Sequence, residues 1–252
     1  MGIKERRTKL LLTIILFSDF SGSSLQTSFT PFTLSDKIQQ AVDLSLNQKT
    51  RGTIAGLLKE GEIEKTEEEN TYRLTTKGFY SISLKFPFFR FLIDRWDGVW
   101  RVLSYEIPEK KRDLRDRLRR EVAGWGLGPW HRSFWITPHP IIENLKELVS
   151  QKEEEQYIQA FEAKHVFGDR EVLIEKVWQK KSLDSSYRAL FKKWHEILST
   201  EIDKVEKLKK VISEYINVLR IDPGLPKELV GEKWIGFESH SIFKEIRGIL
   251  LS

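Results

Sequence analysis

NQKTRGTIAGLLKEGEIEKTEEENTYRLTT, residues 47–76, reads as one helix followed by a hairpin. Asn47 is a side chain that caps helix starts. Thr50, Ile54, Leu57 and Leu58 recur on one face at helical spacing, and Gly61 stands at the end. The opposite face carries Gln48, Lys49, Gly52, Gly56 and Lys59, with Arg51 and Thr53 at its flanks. Beyond it, Ile63, Tyr72 and Leu74 bracket the polar turn Glu67 to Asn70, which predicts a two-stranded hairpin over Glu62 to Thr76.

Two helices precede this segment. Leu10 to Phe17 is an apolar run read as the buried first helix. Ser21 to Ser24, with Gly22, reads as a loop. From Thr33-Leu34-Ser35-Asp36 a second helix places Leu34, Ile38, Val42 and Leu46 four residues apart. Lys4, Arg6, Arg7 and Lys9 ahead of the apolar run imitate a signal peptide. The run is only eight residues, contains Thr13 and meets Asp19 at once, so a buried helix is the expectation. Three helices and a hairpin over residues 1–85 form the pattern of a winged helix-turn-helix, whose third helix enters a DNA major groove. On that reading Gln48, Lys49, Arg51 and Thr53 face DNA from the helix, and Lys65, Tyr72 and Arg73 from the hairpin. Gly52 and Gly56 permit a backbone to approach closely, or are simply tolerated. Glu60, Glu62, Glu64, Glu67, Glu68 and Glu69 crowd the hairpin and oppose a phosphate backbone.

A second domain is expected over residues 94–168. Val99 to Ile107 reads as a strand stopped by Pro108, and Leu114, Leu118 and Val122 mark a helix over Glu109 to Gly124. Gly126-Leu127-Gly128-Pro129 reads as a turn, Ser133 to Ile136 as a strand, Pro140 to Lys152 as a helix and Gln156 to Val166 as a strand. The order fits a ferredoxin-like α/β sandwich with one strand very short or unread. Residues 169–252 are predicted as a helical C-terminal domain, broken at Asp222 to Pro226 and closing on a helix over Phe237 to Leu250. The fold class is therefore α+β and multidomain.

Composition narrows the chemistry. The 252 residues include no cysteine, which removes disulfides, thiol nucleophiles and cysteine-ligated metals. The net charge is +5, and the surplus lies in the first 140 residues, because residues 141–252 carry 19 basic against 20 acidic side chains. A basic front suits an anionic partner. The helix over Glu109 to Gly124 bears Lys110, Lys111, Arg112, Arg115, Arg117, Arg119 and Arg120 against four acids, either as an ion-paired surface or as a further phosphate contact. His131, His139, His165, His195 and His240 show no metal-binding spacing, and no phosphate loop or nucleophile elbow occurs. Trp130, Trp135, Trp178, Trp194 and Trp234 are expected in the core. No stretch approaches the roughly 18 apolar residues of a membrane span. No cofactor is expected, and the location expected is cytoplasmic.

Trp96-Asp97-Gly98-Val99-Trp100-Arg101, Ile107-Pro108-Glu109, Leu114-Arg115-Asp116-Arg117-Leu118-Arg119, Gly126-Leu127-Gly128 and Phe134-Trp135-Ile136-Thr137-Pro138 resemble the signature of the phenylacetic-acid catabolon repressor (PaaX) family. Asp222-Pro223-Gly224-Leu225-Pro226 and Trp234-Ile235-Gly236 resemble its C-terminal motif. The resemblance implies a winged-helix reader, a middle domain similar to the small CRISPR-adaptation endonuclease, and a helical domain linked to dimerisation or effector sensing. It also implies a repressor released by an acyl-coenzyme A. Arg51 and Gly61 match the family's recognition helix, while Gly56 departs from a position that tends to be basic.

The function expected is a homodimeric regulator that binds double-stranded DNA and is not an enzyme. The alternative is a magnesium-dependent nuclease or CRISPR-adaptation-like subunit. Its weak catalytic candidate is Glu106, at a strand end where the resemblance places a metal-holding carboxylate. A scaffold whose winged helix binds protein is a third reading.

Overall fold

The computed structural model describes residues 2–23, 26–93 and 95–252. Ser24 of the expected loop and Asp94, where the second domain is expected to begin, lie outside the described residues. The elements in chain order are α1 (Ile3–Phe17), β1 (Phe20–Ser23), β2 (Gln26–Phe29), β3 (Phe32–Thr33), α2 (Asp36–Ala41), α3 (Gln48–Lys59), β4 (Ile63–Lys65), β5 (Thr71–Leu74) and α4 (Thr76–Ser83). They continue with β6 (Val99–Tyr105), α5 (Arg112–Gly124), β7 (Gly128–His131), β8 (Phe134–Thr137), α6 (Ile142–Val149) and β9 (Ile158–Lys164). The last helices are α7 (Arg170–Trp178), α8 (Lys180–Leu198), α9 (Lys204–Leu219), α10 (Lys227–Val230) and α11 (Ile235–Leu251). The protein is α+β, and every sheet is antiparallel.

The chain forms two compact units. One comprises Met1–Lys85, Ser186–Leu219 and Ile235–Ser252, the other Phe86–Ser185 and Arg220–Trp234. Helices of the stretch 169–252 thus contribute to both.

In the first unit, α1 buries Leu10 to Leu16. The second helix is shorter than its periodicity predicts: it ends at Ala41, because Asp43 takes a left-handed conformation (φ 47°) that breaks the ladder, although Leu44 is still buried. The predicted hairpin β4–β5 gains a third strand, giving the order β3-β5-β4 with Phe32 opposite Tyr72 and Thr33 opposite Thr71. α8 from Ser186 onward, α9 and α11 supply an aromatic cluster of Trp194, Tyr215 and Phe243, with ring centroids 4.8 Å to 6.2 Å apart. Arg247 of α11 reaches the end of α1, donating to the carbonyls of Leu16 and Ser18 and to the Asp19 carboxylate.

In the second unit the sheet order is β7-β8-β6-β9. The strand that the sequence leaves unread is β7, which begins at Gly128 inside the stretch read as a turn. Gly128 permits this: a Cβ there would lie 2.1 Å from Val177 of α7. Trp100, Val102 and Ile136 pack with Ile174, Val177, Leu225 and Leu229 on one face of the sheet. Trp135, Trp194 and Trp234 are buried as expected, Trp178 is half-buried with its indole N–H on the Gly126 carbonyl, and Trp130 is exposed, against Phe134. Strand β7 is an edge strand and points Trp130 to solvent.

Two tests follow from this packing. Gly224 has φ +68°, and a Cβ there would sit 2.0 Å from the Pro87 carbonyl oxygen. Gly224→Ala should cost at least about 2 kcal/mol in urea unfolding, whereas Gly56→Ala, in open space on α3, should add up to about 1 kcal/mol. Equal effects would contradict the packing. His139 is fully enclosed. Burial, followed by the charge of Arg90, lowers its pKa well below the ordinary histidine value against the pull of the Pro223 and Gly224 backbone. The unfolded chain therefore binds a proton that the folded chain refuses. Stability should fall as pH drops below about 6.5, and His139→Gln should flatten that slope between pH 7 and 5. Identical slopes in both proteins would refute the assignment.

Candidate nucleic-acid interface

Helix α3 starts because the Asn47 side chain accepts the Thr50 N–H at 3.0 Å, and it ends at Gly61 in the left-handed region. Thr50, Ile54 and Leu57 are buried, which fixes the opposite face outward. Gln48, Lys49 and Arg51 are exposed, and Gly52 and Gly56 have no neighbouring atom within 4 Å of where a Cβ would stand. That face offers bare backbone flanked by cations. Arg51 folds its Nε back to the Leu46 carbonyl at 3.2 Å, which leaves the rest of its guanidinium outward. Thr53 is half-buried and spends its hydroxyl on the Lys49 carbonyl at 2.9 Å.

The hairpin residues divide. Lys65 is exposed and makes no ion pair among the described residues. Tyr72 is buried, because β5 is the central strand and Phe32 and Lys65 flank it on either side. Burial raises its phenol pKa, against the opposing positive charge of Arg51. Arg73 faces Glu64 across the ladder, and its guanidinium binds that carboxylate at 3.0 Å. Lys49, Arg51 and Lys65 therefore remain as cations not spent on carboxylates, and Tyr72 and Arg73 are engaged within the fold.

The acidic crowding is also different from its appearance in sequence. Arg7 of α1 binds Glu60 through both guanidinium nitrogens, Nη1 to Oε1 at 2.8 Å, and lies 2.7 Å from the buried Glu62 carboxylate. The hydrogen bond to Glu60 raises the Arg7 pKa above its ordinary value and lowers that of Glu60. Glu62 also accepts the Ser81 hydroxyl of α4, and its carbonyl accepts both the N–H and the hydroxyl of Thr75. Three of the six carboxylates near α3 are thus paired with arginine, and only Glu67, Glu68 and Glu69 remain at the turn. Sequence reading missed Arg7, which stands more than 50 residues from its partners and looks like part of a basic leader.

In the second unit Glu106 is exposed just beyond β6, and its N–H bonds the Tyr157 carbonyl at 2.9 Å. It borders an open cleft of about 490 Å³ lined by Tyr105, Glu109, Arg115, Arg119, Arg132 and Ser133. Arg115 is held by Glu109 at 2.7 Å. Among the described residues no three His, Asp or Glu side chains converge as a metal site. The α5 helix splits its charge. Arg115, Arg117 and Arg112 are paired with Glu109, Glu154 and Asp116, and Lys111 with Glu153, while Arg119 and Arg120 make no ion pair among the described residues.

These units define an α+β protein with a solvent-facing, cation-flanked helix in one unit and an antiparallel four-stranded sheet in the other. The model of the PaaX protein central Cas2-like domain matches residues 94–173, and that of the PaaX-like protein C-terminal domain matches residues 178–252. The chain belongs to the PaaX family. Among solved structures, the uncharacterized protein Rv0674 from Mycobacterium tuberculosis is similar, with a TM-score of 0.53 and 15% sequence identity over 87% of this chain and 89% of that one. That likeness is one of fold. No curated protein matches the chain.

The Arg7 contacts give a stability test. Arg7→Ala leaves the buried Glu62 carboxylate without its cation. The loss in urea unfolding should be about 2 to 3 kcal/mol, below the 3 to 5 of a fully buried pair because Arg7 is partly exposed. Adding Glu62→Gln to Arg7→Ala should recover part of it. A loss under about 0.5 kcal/mol in Arg7→Ala would remove the clamp from the account.

Proposed function

We propose that the chain is a transcriptional repressor of the PaaX type. It binds double-stranded DNA as a homodimer through α3 of a winged helix-turn-helix formed by residues 1–85, and an acyl-coenzyme A or similar acidic ligand releases it. The central sheet with α5 and α6 is read as a ferredoxin-like domain that joins two readers, and the location as cytoplasmic. Two-fold symmetry then requires an inverted-repeat operator. The observation that carries the reading is the outward face of α3. It combines unspent cations at Lys49 and Arg51 with bare backbone at Gly52 and Gly56, beside a hairpin region in which three of six acids are paired with arginine. Membership of the PaaX family supports it. In this reading Glu106 takes no part in chemistry, and its cleft is lined by arginines as much as by carboxylates.

The test is selection from a random duplex library at about 50 and 200 mM salt, with and without magnesium. An uncut, salt-sensitive inverted repeat is the expected product. Lys49→Glu combined with Arg51→Ala should weaken binding and lower the slope of log affinity against log salt by about 2, near 0.9 for each phosphate contact removed. Glu64→Gln, which frees Arg73, should strengthen binding. An unchanged slope in the double variant would take α3 out of the interface. Cleavage that needs magnesium and is lost in Glu106→Gln would replace the repressor with a nuclease.

A further inference from the structure

We propose that the pocket between α7 and α8, in the second unit, binds a nucleotide-like ligand, holding its phosphates with Lys176 and Lys181 and its flat base against Trp234 and Val172. The role of that ligand in release rests on the reading above, and the chemistry of the pocket is independent of DNA.

Helix α7 ends at Trp178 and α8 begins at Lys180, so Gln179 alone makes the turn between them, in the left-handed conformation (φ 51°). The pocket takes one face of each helix. Positions 171, 172, 175 and 176 line it from α7, and 180, 181, 184 and 185 from α8, the spacing of neighbours on a helix surface. It is open and holds about 740 Å³, the size of a small-molecule site. Its apolar lining is Trp234, which is buried, and Val172, which is 62% exposed.

The acids at this pocket are spent. Glu171 binds Lys180 at 3.2 Å, the Glu175 carboxylate accepts the Lys181 backbone N–H at 3.1 Å, and Asp184 is engaged as well. The Lys180 ammonium also lies over the Trp234 ring, 5.9 Å from its centroid. Lys176 and Lys181 are exposed and make no ion pair among the described residues. The unspent charge is therefore two ammonium groups, one on each helix.

The type of cation selects the ligand. Carboxylates are held best by the planar, bidentate fork of arginine, and no arginine lines this pocket. Compact ammonium groups act as point charges and suit phosphate oxygens. A large aromatic side chain beside them offers apolar surface to a flat base. The place of the pocket also suits a regulator. The chain passes from the second unit to the first after Ser185 and again after Trp234, and both residues line the pocket. A ligand seated there touches the chain where it leaves the unit.

The experiment is calorimetric titration of the full chain with adenosine 3′,5′-bisphosphate, without DNA, with circular dichroism to verify folding. Wild type should bind. Lys176→Glu with Lys181→Glu should weaken binding at least about tenfold, since each charge-assisted contact to phosphate is worth that much. Val172→Glu, at an exposed position that tolerates the change, should weaken it too. Arg119→Glu with Arg132→Glu, in the cleft beside Glu106, should leave it unchanged, and inorganic pyrophosphate, which lacks the base, should bind more weakly than the bisphosphate. A wild type that binds no bisphosphate, a lysine pair variant that binds as wild type does, a loss in the arginine pair instead, or pyrophosphate binding as tightly as the nucleotide overturns the proposal. Salt-sensitive binding to duplex is measured in parallel. Nucleotide held at the lysines by a protein that binds no duplex would defeat the DNA reading and leave the pocket standing, whereas duplex binding without nucleotide binding would remove the pocket alone.

Discussion

The carboxylate of Glu62 ties the N-terminal unit together. It is buried at the junction where α3 gives way to β4, and a buried charge persists only when it is paired and hydrogen-bonded. Arg7 of α1 supplies the cation and Ser81 of α4 the hydroxyl. The carbonyl of the same residue accepts from Thr75, the N-cap of α4, and leaves no room for a side chain at Gly78, where a Cβ would stand 2.0 Å away. Two helices and the hairpin are thereby fixed to the end of α3. The direction in which α3 faces solvent follows from this junction more than from the helix's own propensity, since two glycines weaken it.

The same junction bears on electrostatics. Carboxylates beside a DNA-facing helix are a liability when they are solvated and unpaired. Here Arg7 and Arg73 neutralise Glu60, Glu62 and Glu64 in place, and the cost falls on Arg73, which a hairpin would otherwise present to phosphate. Lys49, Arg51 and Lys65 are left to act.

Much of this was legible in the sequence where the determinants are local. Asn47, the spacing of Ile54 and Leu57, and Gly61 specify α3 within two residues of its observed ends. The β-branched and aromatic run Val99 to Ile107 and the Leu114, Leu118 and Val122 stripe likewise locate β6 and α5, the strand ending two residues earlier than read. What was hidden depends on pairing across distance. Tyr72 looked like a hairpin surface residue because nothing in residues 62–76 announces that Phe32, 40 positions earlier, covers it as a third strand. Gly126, Gly128 and Pro129 have turn composition, and β7 forms there because β8 and α7 are placed to receive it. The Arg7 clamp is a property of tertiary arrangement, which periodicity does not encode.

The central claim is that α3 lies against base edges when DNA is bound. Because the chain has no cysteine, Gly56→Cys creates a unique thiol at the centre of the outward face of α3, where nothing crowds it. A cleavage reagent tethered there, on the protein bound to its selected duplex, should cut both strands within a few base pairs inside each half-site, in the major groove. The same reagent at Glu68→Cys, on the hairpin turn, should cut outside that position or not at all. Absence of cutting from position 56, with binding retained, would contradict the account.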